Sequence, residues 1–212
     1  DKLTLYKNNN LLIDVKYYNI INNFINQRSK GVPFQHLLNK APFYGRDFIV
    51  DSSVLIPRPE SEALIDIIKN QKYKKLLDIG TGSGVIAITA DLENIAESID
   101  AIDINLHALN IAKKNKIQLN SQNVNFIKLN ILKSIPNSKY DIVVSNPPYV
   151  SLKEYNNLDL EIQNHEPSNA ITDFQDGFTF YKRYAVILKQ LLNPKGIAVF
   201  EISHLFKKDD LN

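Results

Sequence analysis

The sequence predicts an α/β protein whose main part is a doubly wound, mostly parallel sheet. From residue 58 onward, short apolar runs of β-forming residues alternate with longer stretches of helical periodicity. Strands that are separated by helices in this way pair in parallel, with helices on both faces of the sheet. The chain has 212 residues, of which 44% are hydrophobic, so it can fill the core of one such domain and a small appendage.

The N-terminal part of the chain does not follow this alternation. Apolar side chains between Tyr17 and Ile25 recur at the spacing of one helix face, and the helix is expected to end near Gly31. Turn residues at Gly45 and at 51–53 interrupt a weak alternation and predict a β-hairpin. We therefore expect a small N-terminal helical domain at residues 1–41, a β-hairpin linker at 42–57 and the sheet domain at 58–212.

The sheet domain is expected to consist of alternating helices and short strands, except for two consecutive strands at 124–131 and 140–150 and an irregular stretch at residues 151–175. The predicted helices lie at residues 58–70, 84–94, 105–120 and 176–192, and the predicted strands lie at 74–80, 98–104, 124–131, 140–150 and 196–203.

The composition excludes several classes of function. Because the chain has no cysteine, it has no disulfide, thiol nucleophile or zinc–cysteine site and suits a reducing cytoplasm. The 25 Lys and Arg residues nearly balance the 23 Asp and Glu residues, so strong nonspecific affinity for nucleic acid is not expected. No apolar run approaches the roughly 18 residues of a membrane span, and the four histidines lack the spacing of a metal site.

A glycine-rich turn joins the first predicted strand of the sheet domain to the next helix. Its pattern is G-x-G-x-G after an acidic residue, not the G-x-G-x-x-G of dinucleotide dehydrogenases. Glycines let the backbone approach a ligand closely, and the helix N-terminus offers free amides. This form is typical of S-adenosylmethionine sites. The alternative is that the glycines serve only a tight turn. The expected cofactor contacts here are Asp78, Gly80, Thr81, Gly82, Ser83 and Gly84.

A second acidic residue follows at the end of the next predicted strand. There, Asp103 can accept both hydrogen bonds of a ribose. Capping of the following helix is the competing explanation for Asp103, and Asn105 could make that cap as well. The third strand ends at Asn130 and Ile131, beside the position expected for adenine.

The fourth predicted strand stops at an Asn-Pro-Pro-Tyr segment, Asn146 to Tyr149. Because parallel strands end at one edge of a sheet, this segment faces the cofactor, and Asn146 is expected to contact it. The prolines have no amide hydrogen, Asn146 adds a side-chain carbonyl, and Tyr149 adds a flat ring. These groups suit a planar NH2 group whose nitrogen points at the methyl group to be transferred. We therefore predict a clamp for an amide or amine rather than a strand terminator, with Pro148 as a substrate contact and Asn146, Pro147 and Tyr149 as catalytic residues.

Further motifs, in the same order along the chain, resemble one family. They are "RSKGVPFQHL", "VLIPRPESEALI", "SNPPYV", "NHEPSNAI" and "DGFTFYKR", and with the glycine turn they extend from about Arg28 to Ile202. The chain resembles the HemK/PrmC family of peptide chain release factor N5-glutamine methyltransferases. The resemblance implies a Rossmann-like, class I S-adenosylmethionine-dependent methyltransferase fold.

The resemblance also implies a substrate, the side-chain amide of the glutamine in the Gly-Gly-Gln motif of class I release factors. S-adenosylmethionine would donate the methyl group and leave as S-adenosylhomocysteine, and the N-terminal domain would help to hold the release factor. The glycine turn and Asp103 would bind the cofactor, Ile131 would lie against adenine, and Asn146 to Tyr149 would grip the glutamine.

The chain departs from this family at several points. Relatives can have an aromatic residue where Ile131 stands, and "ITDFQDGF" lacks the paired glycines common before Asp-Gly. The N-terminal domain is also expected to be shortened, and the sheet is expected to lack its last two strands because of a truncated C-terminus.

Two other functions compete with this one. A methyltransferase acting on adenine or guanine in DNA or RNA would share Asn-Pro-Pro-Tyr, but it predicts a basic stripe or a target-recognition domain, which the sequence lacks. A noncatalytic binding module would be expected to have lost the Asn-Pro-Pro-Tyr clamp or Asp103, the acidic residue expected to bind the ribose. Both are intact. We expect a monomeric cytoplasmic enzyme without direct contact with nucleic acid or membrane.

Overall fold

The computed structural model describes Lys7, residues 14–203 and Phe206. The other residues of the predicted segments 1–41 and 58–212 lie outside this described part. The strands are β1 (Lys40–Phe43), β2 (Arg46–Ile49), β3 (Tyr73–Ile79), β4 (Ala96–Asp103), β5 (Val124–Lys128), β6 (Tyr140–Ser145) and β7 (Leu192–Phe200). The helices are α1 (Val15–Arg28), α2 (Phe34–Leu38), α3 (Glu62–Ile68), α4 (Val85–Leu92), α5 (Leu106–Gln118), α6 (Leu152–Tyr155), α7 (Leu160–His165) and α8 (Thr179–Leu191).

The main sheet has the strand order β5-β4-β3-β6-β7, and all its strand pairings are parallel. The chain proceeds from β3 to β4 and β5 on one side and then returns to β6 and β7 on the other. This reversal opens a crevice at the carboxyl ends of β3 and β6, where open parallel sheets bind ligands. The predicted α/β class and the parallel sheet are confirmed.

The sheet is buried on both faces. Successive residues of a strand point to opposite faces, and the neighbours Leu76 and Leu77 accordingly belong to two different core clusters. The Leu76 cluster includes side chains of α3, α4 and the hairpin, whereas the Leu77 cluster includes Tyr184 and Leu191 of α8. Burial on both faces explains why the strands read as continuous apolar runs.

The β-hairpin consists of β1 and β2, with its turn at Tyr44 and Gly45. The residues at 51–53 form a second turn outside it, in which Asp51 accepts a hydrogen bond from the Ser53 amide. The buried side chain of Asn115 in α5 joins the hairpin to the glycine turn, because it pairs with both backbone groups of Ile49 and donates to the Ser83 carbonyl. The division of the chain into three domains stays a prediction.

Helix α1 begins after the N-cap Asp14 and ends at Arg28, as the apolar spacing predicts. Most of its apolar side chains, among them Tyr17, Ile21 and Ile25, are exposed, whereas Phe24 is half-buried. An ion pair of 2.5 Å between Arg28 and Glu161 links its end to α7. In the part of the chain that the structure describes, no helix has the length and apolar character needed to cross a membrane.

The stretch predicted to be irregular contains two short helices, α6 and α7, and a 3₁₀ turn at Ser168–Ala170. A capping box between Ser151 and Glu154 starts α6. Helices of one turn or slightly more carry no complete period of apolar residues, so the sequence pattern does not reveal them.

Candidate active site

The glycine turn lies between β3 and α4, at the carboxyl edge of the sheet. Gly80, Gly82 and Gly84 have φ values of 75°, 54° and 83°, which L side chains rarely adopt. A Cβ at Gly84 would lie 2.9 Å from Ile88 Cδ1 and 3.1 Å from Ala112 Cβ, so this glycine permits close packing of α4 on α5. A Cβ at Gly80 or Gly82 would meet nothing closer than 3.9 Å. These two positions therefore leave open space beside the backbone.

Asp103, the last residue of β4, faces this turn. Its Oδ2 accepts a hydrogen bond of 2.9 Å from the Gly82 amide, and its Oδ1 accepts one of 2.8 Å from the Asn105 amide. Asn105 is the residue that caps α5, by accepting from the His107 amide, so α5 does not need Asp103 as its cap. Burial raises the pKa of Asp103, and the hydrogen bonds from backbone amides act in the opposite direction.

A cavity of about 260 Å³ runs along the carboxyl ends of β3, β4, β5 and β6. The loop that follows the hairpin contributes Val54 and Leu55 to its walls, and the segment before α8 contributes Thr172, Asp173 and Phe174. The sequence reasoning missed all five residues. The cavity brings together most of the predicted site residues, namely Gly80, Gly82, Asp103, Asn130, Ile131, Asn146, Pro147 and Pro148.

The predicted residues Asp78, Thr81 and Ser83 are buried and do not line this cavity. Burial raises the pKa of Asp78 to about 7, the nearby Asp103 acts in the same direction, and the Thr81 hydroxyl and the Ala87 amide oppose it. Neither of these two groups reaches the Asp78 carboxyl with regular hydrogen-bond geometry. Asp78 therefore lies beneath the turn, and its contact with a cofactor stays a prediction.

A second cavity, of about 160 Å³, lies on the other side of the Asn-Pro-Pro-Tyr segment. Its walls include Tyr149, Arg58 and Glu201. Asn146 and Pro147 line both cavities. A group that enters the second cavity would therefore meet a ligand of the first one at Asn146.

The side-chain amide of Asn146 is held by a chain of hydrogen bonds. Asn146 Nδ2 donates to Ser61 Oγ at 2.9 Å, and Ser61 Oγ donates to Glu201 Oε2 at 2.6 Å. The Tyr149 hydroxyl donates to the other oxygen of Glu201 at 3.0 Å. Burial, together with the charge and the hydrogen bond of Glu201, raises the pKa of Tyr149 to about 12, so this hydroxyl keeps its proton near neutral pH.

The direction of these hydrogen bonds fixes which way the Asn146 amide points. A carboxylate only accepts hydrogen bonds, so the Ser61 hydroxyl gives its proton to Glu201. The Ser61 oxygen can then only accept from Asn146, which requires the Nδ2 end of that amide. The Oδ1 end of Asn146 is left as an acceptor, and it makes no hydrogen bond within the described residues.

The segment before α8 touches the backbone of Tyr149. Gly177 has a φ of 87°, and a Cβ there would lie 2.5 Å from the Tyr149 carbonyl oxygen. The Asp173 carboxylate fixes this segment by accepting from the amides of Gln175, Gly177 and Thr179, at 2.8 to 3.0 Å. Burial acts to raise the pKa of Asp173, but these hydrogen bonds outweigh it and lower the pKa.

An ion pair between the half-buried Arg58 and the buried Glu166 joins two of the sequence motifs beside the second cavity. Glu166, from "NHEPSNAI", accepts from Arg58 at 2.5 Å and from the Ile56 amide at 2.8 Å. Both of these partners come from "VLIPRPESEALI". The pairing holds the two motifs together and orders the chain just before Ser61.

Known proteins resemble this chain in sequence and in fold. The methyltransferase small domain family matches residues 59–163. A release factor glutamine methyltransferase from Bacteroides thetaiotaomicron is 37% identical over 99% of this chain and 77% of its own length. The chain belongs to the release factor glutamine methyltransferase family. Members from Bacillus subtilis and Fusobacterium nucleatum are both 40% identical, over 84% and 85% of this chain.

This chain spans only part of those family members, 65% of the Bacillus subtilis protein and 52% of the Fusobacterium nucleatum protein. A crystal structure of a methyltransferase from Pyrococcus furiosus aligns with a TM-score of 0.60, over 87% of this chain and 81% of that chain, at 19% identity. That likeness shows the class I methyltransferase fold.

The most important contacts that the sequence reasoning missed are those of Ser61 and Glu201. Ser61 lies within the quoted "VLIPRPESEALI" motif, and Glu201 directly follows the last strand, β7. Glu201 at the carboxyl edge of the sheet was therefore a signal, since the other functional candidates follow strands at the same edge. Nothing in the sequence indicates that these two residues meet.

Proposed function

We propose that the protein transfers a methyl group from S-adenosylmethionine to the side-chain amide nitrogen, N5, of the glutamine in the Gly-Gly-Gln motif of class I release factors. The observation that carries this proposal is the position of Asn146 between two cavities, with its Oδ1 left as an acceptor. The chain belongs to the release factor glutamine methyltransferase family, which supports the choice of glutamine as the substrate.

The larger cavity fits the cofactor. The open space at Gly80 and Gly82 is a cradle that any Cβ would partly fill, and the amides of this turn precede a helix N-terminus. Asp103 can accept hydrogen bonds from the ribose, and Asn130 and Ile131 lie at the next strand end, where adenine would follow. The bound cofactor supplies a methyl group that is already activated by a sulfonium.

The second cavity would receive the glutamine side chain. Asn146 Oδ1 would accept one hydrogen of the glutamine NH2 group. The backbone carbonyl beside Asn146 can accept the other hydrogen, since Pro147 and Pro148 have no amide hydrogen to compete. Tyr149 lines this cavity and offers a ring for the amide plane. The acceptors raise the electron density on nitrogen and stabilise the positive charge that it develops.

The remaining task of the protein is alignment. Asn146 and Tyr149 would hold the glutamine nitrogen toward the methyl group of the bound cofactor, and such positioning contributes up to roughly 7–11 kcal/mol. The new nitrogen–carbon bond would replace the carbon–sulfur bond of the cofactor, and the amide proton would leave to water. None of these steps needs a strong base in the site.

The test combines a methyl-labelled S-adenosylmethionine with a release factor and with the same factor whose Gly-Gly-Gln glutamine is changed to alanine. Label on the unchanged factor alone supports the proposal. An Asn146→Ala variant that retains cofactor affinity but loses labelling would assign the clamp. Absence of label from both factors, together with label on tRNA, rRNA or DNA, would instead support an amino-methyltransferase of nucleic acid.

A further inference from the structure

Phe174 has a backbone conformation that its side chain makes unfavourable. Its φ is 59°, in the left-handed region that glycine adopts freely and that a bulky aromatic residue rarely occupies. Such conformations persist when the surrounding structure holds them, and they cluster at ligand sites. A phenylalanine at this position therefore requires an explanation.

The surroundings of Phe174 hold it firmly in place. The Phe174 amide donates to Thr172 Oγ1 at 3.0 Å. The next residue, Gln175, donates its amide to Asp173 and accepts at its carbonyl from the Leu152 amide. Hydrogen bonds on both sides of Phe174 thus fix its backbone. The side chain gains no such support, because 47% of its surface is exposed.

The exposed ring of Phe174 lines the larger cavity. Its segment is connected to the adenine end of that cavity, since Asp173 binds the amide of Thr179, which begins α8. One turn later, Arg183 Nε donates to the Ile131 carbonyl at 2.9 Å. The Phe174 segment and the Ile131 segment therefore line the same cavity and are joined through α8.

We infer that Phe174 is a cofactor-binding residue whose ring packs against the adenosine portion of S-adenosylmethionine; this inference rests on the proposed function. An aromatic ring covers the flat, apolar base at little loss of side-chain freedom. Ile131 on the neighbouring wall offers an aliphatic side chain that is almost completely buried. The exposed part of the Phe174 ring is then covered only when the nucleoside is bound.

The test compares stability with affinity in Phe174→Gly. Glycine removes both the ring and the backbone strain, so the melting temperature of the ligand-free variant should stay equal or rise. Calorimetric affinity for S-adenosylhomocysteine should fall about threefold to tenfold. The same loss should occur for methylthioadenosine, which lacks the amino-acid end. Phe174→Tyr keeps the ring and should bind both ligands as the unchanged protein does.

Lys195→Gly is the matched control. Lys195 also has a positive φ, of 67°, but it is exposed and does not line the cavity. The Lys195→Gly variant should have a higher melting temperature than the unchanged protein and the same affinity for both ligands. Unchanged affinity in Phe174→Gly would overturn the inference, and a loss confined to S-adenosylhomocysteine would overturn the assignment to adenosine. Failure of the unchanged protein to bind either ligand would instead refute the proposed function, and with it this inference.

Discussion

Replacing Ser61 with alanine tests whether the orientation of Asn146 matters for catalysis. Ser61 is 4% exposed, and its hydroxyl both accepts from Asn146 and donates to Glu201. It lines neither cavity. Ser61→Ala therefore removes the group that fixes the Asn146 amide without removing any contact to a ligand.

The expected effect can be bounded from the geometry. If the Asn146 amide merely became free to rotate, half of the molecules would still present Oδ1, and the rate would fall only about twofold. If the amide also shifted by about 1 Å, the loss could approach about a hundredfold. The lost hydrogen bond of 2.9 Å is worth about 1 kcal/mol. We expect kcat to fall about tenfold, which corresponds to about 1.4 kcal/mol.

The assay is single-turnover methylation of a release factor at saturating S-adenosylmethionine, with cofactor affinity measured separately by calorimetry. Cofactor affinity should not change. Ser61→Thr keeps the hydroxyl and should restore most of the rate, whereas a general loss of stability would affect both variants. In an Asn146→Ala background, Ser61→Ala should have no further effect on the rate, because its effect passes through Asn146.

Two results would refute this reasoning. One is a rate for Ser61→Ala within about twofold of the unchanged protein, which would mean that the amide needs no orientation. The other is a full additional loss in the Asn146→Ala background, which would show that Ser61 acts elsewhere.

Three further predictions test Asp78, Asp103 and Gly177. Burial raises the pKa of Asp78 in the folded protein to about 7, above its ordinary value of 3.8. Protonation of Asp78 therefore adds to the free energy of unfolding, and this contribution is fully present below about pH 4. It is lost as the pH rises through about 7, by at most about 4 kcal/mol. In Asp78→Asn, the free energy of unfolding measured by urea denaturation should no longer fall between about pH 5 and about pH 8 because of this group. An equal fall in the variant and in the unchanged protein would contradict the prediction. Asp103→Ala should weaken S-adenosylhomocysteine binding at least about tenfold, because it loses acceptors for the ribose; normal affinity in calorimetry would remove the ribose assignment. Gly177→Ala should lower the free energy of unfolding by about 2–4 kcal/mol, because the added Cβ would contact the Tyr149 carbonyl. Gly45 is the control, since it has a φ of 73° and a Cβ there would meet nothing within 4 Å. Gly45→Ala should cost only about 1 kcal/mol in the same denaturation assay.

The sequence predicted the sheet and its crevice because those features depend on local patterns. Alternation of apolar strands and helices gives the order of the elements, and strand ends such as Asp103 and Asn146 must then meet at one edge. The glycines of the turn have the positive φ values that only glycine adopts easily. Each of these inferences requires a few neighbouring residues and one rule of sheet geometry.

The contacts that could not be predicted are those between distant parts of the chain. Ser61 and Glu201 are separated by 140 residues, and no periodicity connects them. The side chain of Asp78 ends beneath the turn rather than in the cavity, although its position before the glycines resembles that of a ligand contact. A strand pattern gives the position of a residue along the chain, but packing decides on which side of a turn its side chain lies.

The polarity of the Glu201 network also bears on the choice of substrate. Because Glu201 accepts from Ser61, and Ser61 accepts from Asn146, the oxygen of Asn146 is left as an acceptor for the proposed substrate side chain. The prolines that follow add no amide donor. A glutamate carboxylate, which has only acceptors, would leave its own oxygens and that of Asn146 unpaired, and each unpaired buried group costs about 1–3 kcal/mol. A glutamine amide satisfies the same acceptors with its two hydrogens, so the fixed direction of one serine hydroxyl can select an amide over an acid.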